Sequence, residues 1–74
     1  DFFKLLDERF PNLTRNDKIL CAYLNMNLSS KEIAPLLNIS IRGVEVNRYR
    51  LRKKMDLDRD VNLSDFLQSL KQNI

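Results

Sequence analysis

The stretch SSKEIAPLLNISIRGVEVNRYRLRKKM, from Ser29 to Met55, decides how the chain is read. Ser29 followed three residues later by Glu32 is a capping-box signature for a helix start. Ile33, Leu36 and Leu37 then supply an apolar face, and Ala34 leaves room for a close neighbour. Pro35 removes one backbone donor and crowds the carbonyl of Lys31, so a local kink or a tightened first turn is expected. The residues Asn38, Ile39 and Ser40 form a short turn, with Ile39 expected to plug the core and Ser40 to cap the next helix. Val44, Leu51 and Met55 fall on one face of that helix, with Asn47 or Arg48 filling the turn between them. The pattern is helix, short turn, helix.

The second of these helices concentrates the charge. Arg42, Arg48, Arg50, Arg52, Lys53 and Lys54 stand against one acid, Glu45, and leave the segment at +5, whereas the whole chain carries only +3. The rest of the chain is therefore net acidic. A solvated basic helix on an ordinary surface has this composition, and so does a helix that reads a groove. At ~1.5 Å per residue it spans about 22 Å, which suits a major groove roughly 12 Å wide.

Around this centre the chain reads as helical throughout. Glycine occurs once and proline twice in 74 residues, and no segment alternates as a strand would. Residues 1–10 open with Phe2, Phe3, Leu5, Leu6 and Phe10 at helical spacing, and Pro11 ends the run. This segment is open to two readings, a helix docked on the domain or the end of a linker helix from an upstream domain. Thr14 caps the next helix with Asp17 as an imperfect box partner, and Leu20, Cys21, Tyr23 and Leu24 form its buried stripe. After Met55 comes an acidic loop. Asp58 and Asp60 lack the glycine and terminal glutamate of a calcium loop. Asn62 or Ser64 then caps a last helix bearing Leu63, Phe66, Leu67, Leu70 and Ile74. Part of that face is expected to cover the core and part to pair with a second copy. The expected fold class is an all-α small helical bundle, with residues 1–10 as the N-terminal helix and residues 13–74 as the domain.

Composition narrows the chemistry. With no histidine and one cysteine, neither the usual zinc sites nor an internal disulfide is available. Cys21 reads as a small buried hydrophobe. The single glycine excludes a Gly-rich phosphate loop, and no nucleophile is spaced with a base, so neither an enzyme nor a cofactor is expected. The longest apolar run, Ile19 to Leu24, is far short of the ~20 residues of a membrane span. A free thiol and no secretory segment suggest a reducing cytoplasm. Opening on Asp1 suggests a piece of a longer protein.

Leu13-Thr14, Lys31-Glu32-Ile33-Ala34, Leu37-Asn38-Ile39-Ser40, Val44-Glu45-Val46 and Lys53-Lys54-Met55-Asp56-Leu57 together resemble the LuxR/GerE-type DNA-binding domain. The resemblance covers Leu13 to about Leu67. It implies a four-helix bundle whose third helix reads DNA, in a bacterial transcriptional regulator. It further implies a homodimer on double-stranded DNA, with Leu63, Phe66, Leu67 and Leu70 on the last helix as the dimer face, and an upstream sensor or receiver domain. The sequence departs from the family at Asp17 (usually Glu), Asn27 (Gly), Gly43 (Thr) and Asn47 (often His), and at Pro35, where a polar or charged residue is usual.

On the family's pattern the base contacts are Arg42, Glu45, Val46 and Tyr49. Arg42 suits guanine, Glu45 a cytosine amino group, and Val46 a thymine methyl. Phosphates are expected on Lys31, Arg48, Arg50, Lys53 and Lys54 and on the backbone N–H groups of Ser30 and Ile41. Arg50 or Arg52 is alternatively a support along the domain. A protein-interaction module, with the basic helix on an acidic partner and Phe2, Phe3, Phe66 and Leu70 on a helix, is the alternative. An RNA reader is disfavoured, because Tyr49 is the helix's only stacking aromatic.

Overall fold

Five α-helices and no strand make up the described part of a computed structural model, residues 1–72, the last two by backbone alone. Ile74, expected to extend the last apolar face, lies outside the described residues. The helices are α1 (Phe2–Arg9), α2 (Arg15–Asn25), α3 (Ser30–Leu37), α4 (Ile41–Lys54) and α5 (Leu63–Gln72). The chain is an all-helical small bundle.

Local chemistry sets each start. Asp1 accepts from the Phe3 N–H at 2.9 Å and caps α1. At α2 the box is complete: Thr14 Oγ1 accepts from the Asp17 N–H, and Asp17 Oδ2 accepts from the Thr14 N–H. Ser29 and Glu32 make the same reciprocal pair at α3. Ser40 Oγ accepts from the Gly43 N–H at 2.9 Å and starts α4. Asn62, rather than Ser64, caps α5 by accepting from the Asp65 N–H. Asn27, Asn38 and Asp56 hold positive φ values of 63°, 57° and 56° just past helix ends, where a left-handed residue reverses the chain. Asn and Asp tolerate this better than branched residues.

The core runs through all five helices. Leu6, Leu20, Cys21, Leu24, Ile33, Val44, Leu51, Leu63 and Leu67 are all fully or almost fully buried. Helix α2 packs on α1, α4 and α5, while α3 packs on α4. The N-terminal segment is thus a docked helix. Leu6 enters the core, Phe2 and Leu5 pack on it, and the Phe10 ring meets Phe66 at 6.1 Å. Burial, together with the charge of Asp17, pushes the Cys21 thiol up to about 12, which fits a packed hydrophobe and not a nucleophile.

Two expected core residues stand outside. Leu36 is 55 % exposed, because Ile33, Ala34 and Leu37 already fill the inward face of α3 and Leu36 lies about 100° from its centre. Ile39 is 38 % exposed; the left-handed turn at Asn38 leaves it at the mouth of the turn, beside Gly43, instead of inside. Pro35 lies within α3, on its solvent side, and the helix continues to Leu37.

Candidate nucleic-acid interface

Helix α4 is divided by its own geometry. At about 100° per residue, Val44, Leu51 and Met55 share an inward face within ~40°, while Arg42, Val46, Tyr49 and Lys53 share the opposite face within ~60°. Burial follows the same division. Val44 and Leu51 are fully buried and Met55 nearly so, whereas Arg42, Val46, Tyr49 and Lys53 are exposed. Glu45, Arg48 and Arg52 form one flank. Asn47, Arg50 and Lys54 form the other.

Of the four residues expected at base edges, Arg42, Val46 and Tyr49 are on the outward face and Glu45 is on the flank beside it. Arg42 and Glu45 are exposed and in no ion pair among the described residues. Tyr49 is 54 % exposed, and Lys53 Nζ sits 4.8 Å from its ring centroid, a cation–π contact. The hydrogen bond and charge of Lys53 also draw the Tyr49 hydroxyl below its ordinary range.

The expected phosphate ligands separate into free and committed groups. Lys31 and Arg50 are exposed, with no salt bridge among the described residues. Ile41 is exposed at the first turn of α4, where backbone N–H groups lack helical acceptors. Arg48 is half-buried, and its Nη1 donates to Ser30 Oγ at 3.0 Å, bracing α4 against the start of α3. Burial, then repulsion from Arg52, lowers the Arg48 pKa, while Glu45 opposes the shift. Lys54 is engaged within the chain as well. Its ammonium lies 2.5 Å from Asp17 Oδ2, and Asn12 Nδ2 donates to its carbonyl. Its charge therefore serves the joint between α4 and α2.

Arg52 is the supporting arginine of the two considered. Its Nη1 donates to the carbonyls of Asp58, at 3.1 Å, and Val61, pinning the loop after α4. Arg50 stays exposed. Sequence reading missed Arg59, which that loop brings beside Arg48 and Arg52; a lone arginine among acids gives no periodic signal. It also missed the Asp17–Lys54 pair, whose members are 37 residues apart.

On α5, most of the expected dimer face is taken up by the core. Leu63 and Leu67 are 0 % exposed and Leu70 is 2 % exposed, all inside the chain's own core. Phe66 is partly covered by Phe10. A bundle this short has a thin core, and these described residues of the stripe help to fill it. Of the residues of the alternative partner-helix surface, Leu70 is buried, Phe2 and Phe66 are partly buried, and Phe3 is exposed. No family model, curated protein or solved structure matches the chain.

Proposed function

We propose that the chain is a double-stranded DNA reader of the helix-turn-helix kind, of LuxR/GerE type, with α4 as the helix that enters the major groove. The observation that carries this reading is the outward face of α4. Arg42, Val46 and Tyr49 stand exposed on it with Glu45 at its edge, while Arg50 on α4 and Lys31 at the start of α3 are exposed with no ion-pair partner among the described residues. Such a face offers hydrogen-bonding and apolar groups for base edges and flanking cations for phosphates. Helix α3 packs against α4, as the supporting helix of such a pair does. One departure from the family keeps the backbone form that glycine would supply. Asn27, where the family has glycine, takes a left-handed φ of 63°.

The proposed activity is sequence-specific transcriptional control in a cytoplasmic regulator, fused to an upstream sensor or receiver domain. No helix among the described residues is long and apolar enough to cross a membrane. Homodimerisation on two half-sites belongs to the same reading, with the contact supplied by something other than the buried α5 stripe. Fluorescence anisotropy of the chain on a selected duplex pool and on a scrambled duplex, over a range of salt, tests it. A steep log–log salt slope with enrichment of one sequence supports a specific reader. Failure to bind either duplex at low salt overturns it.

A further inference from the structure

One flank of α4 opens into a cleft of about 360 Å³ lined by Ser30, Glu45, Arg48, Tyr49, Arg52 and Arg59. Three guanidinium groups line it, against one carboxylate. Two come from successive turns of α4 and one from the loop that follows. Arg52 holds that loop in place: its bonds to the carbonyls of Asp58 and Val61 bracket Arg59, and a Val61 N–H to Asp58 carbonyl bond of 3.2 Å closes the turn. Arg59 itself makes no hydrogen bond or ion pair among the described residues, and it is exposed.

The arginines are not used up by their supporting bonds. Arg48 spends one nitrogen on Ser30, and Arg52 spends one on the two carbonyls. Each guanidinium has five N–H donors, so several remain on both. Ser30 lies in the first turn of α3, where its own N–H has no helical acceptor. The crowding is already felt, since Arg52 repels the charge of Arg48 while burial strips its water. Glu45 offsets part of this at the rim, and the cleft stays net positive. An anion with several acceptor oxygens would relieve the repulsion and take up the unused donors together, as arginine clusters do with phosphate.

We infer that this cleft is a phosphate site, and that its occupant is a phosphodiester of the duplex bordering the groove that α4 enters. The source of the phosphate rests on the DNA-reading proposal; the chemistry of the site does not. Arg59 and Arg48 bind the phosphate, Arg52 positions Arg59, and Ser30 positions Arg48 while offering its backbone N–H.

Arg59→Ala tests the site with little risk to folding, and Arg9→Ala on α1 controls for loss of one charge elsewhere. Binding of the whole chain to a duplex is followed by anisotropy between about 50 and 200 mM salt. Because each phosphate contact adds ~0.9 to the salt slope, removing one should make the affinity loss over this fourfold range about 3.5-fold smaller than for the unmodified chain. Arg9→Ala should leave that loss unchanged. If Arg59→Ala matches the unmodified chain, or if Arg9→Ala has the same effect, the site is overturned and the DNA reading stands. If the unmodified chain binds no duplex, the DNA reading fails, and inorganic phosphate against chloride at matched ionic strength decides the site. Shifts of the Ser30 amide and the Arg48 and Arg52 side-chain N–H signals, lost in Arg59→Ala, would assign it to free phosphate groups. No such shifts would overturn it.

Discussion

Lys54 Nζ lies 2.5 Å from Asp17 Oδ2, so the last turn of α4 is fastened to the first turn of α2 by a pair 37 residues apart in sequence. Asp17 already accepts from the Thr14 N–H at 2.9 Å, which makes one carboxylate both a helix cap and the anchor of the basic helix. The pair is largely shielded on the Asp17 side, whose side chain is 16 % exposed. Lys54→Ala should therefore act first on stability, by about 1 kcal/mol, and only weakly on the salt dependence of duplex binding. Arg50→Ala should do the reverse, leaving thermal unfolding unchanged and lowering the salt slope by about one. Denaturation and salt titration of the two variants check this. A larger slope change for Lys54→Ala than for Arg50→Ala would mean that the pair opens on DNA.

The same carboxylate makes stability fall in acid. Burial pushes the Asp17 carboxyl up, but its bonds from Lys54 and Thr14 outweigh this and hold it below its ordinary 3.8. A group whose folded pKa is depressed contributes its stability above the unfolded value and loses it as pH falls through the folded one. Asp17 should thus support the fold fully above about pH 4 and progressively less below it. Glu32, held down by the Ser29 backbone N–H and then its hydroxyl, acts in the same direction. Urea midpoints measured against pH should show a shallower acid decline for Asp17→Asn than for the unmodified chain. Equal declines would assign the acid sensitivity to other carboxylates.

The burial of Leu67 separates a one-chain core from a shared one. Leu67→Ala should cost about 2–5 kcal/mol as a large-to-small core change. For a small domain that is a large part of total stability. Because Leu63, Leu67 and Leu70 are covered by their own chain, the loss and the unfolding midpoint should not depend on protein concentration. A midpoint that rises with concentration would place this stripe between two copies.

Glu45 is the one acid on α4, at the edge of the outward face and beside Arg48. A carboxylate repels phosphate, so on the proposed reading helix it is best used on a base donor such as the cytosine amino group. Glu45→Ala should change which duplexes are preferred, by about 1–3 kcal/mol at one base pair, with a general rise in affinity if anything. Selection from a randomised pool measures this. A uniform change over all sequences would remove Glu45 from base reading.

The parts of this molecule legible in the sequence are those set by local spacing. The caps at Thr14, Ser29 and Ser40 and the inward stripe of Val44, Leu51 and Met55 follow from side chains acting within a turn or two. What was not legible depends on contacts between distant segments. Nothing near Lys54 indicates that its charge meets Asp17, and nothing near Arg48 indicates Ser30. Leu36 and Ile39 show the limit of apolar pattern alone: neighbours fill the inward face of α3 before Leu36, and the left-handed turn at Asn38 carries Ile39 out. The α5 stripe was readable as apolar, but whether it covers its own core or a second chain depends on how much core the other helices supply.

The central claim is that the outward side of α4 is where DNA is met. Backbone amide signals of the isotope-labelled chain, followed during titration with a selected duplex, test it most directly. The account predicts the largest shifts from residue 41 to residue 53 and at Ser30 and Lys31, with α1 and the buried stripe of α5 unmoved. Shifts centred on α1 or α5, with α4 unchanged, would contradict it.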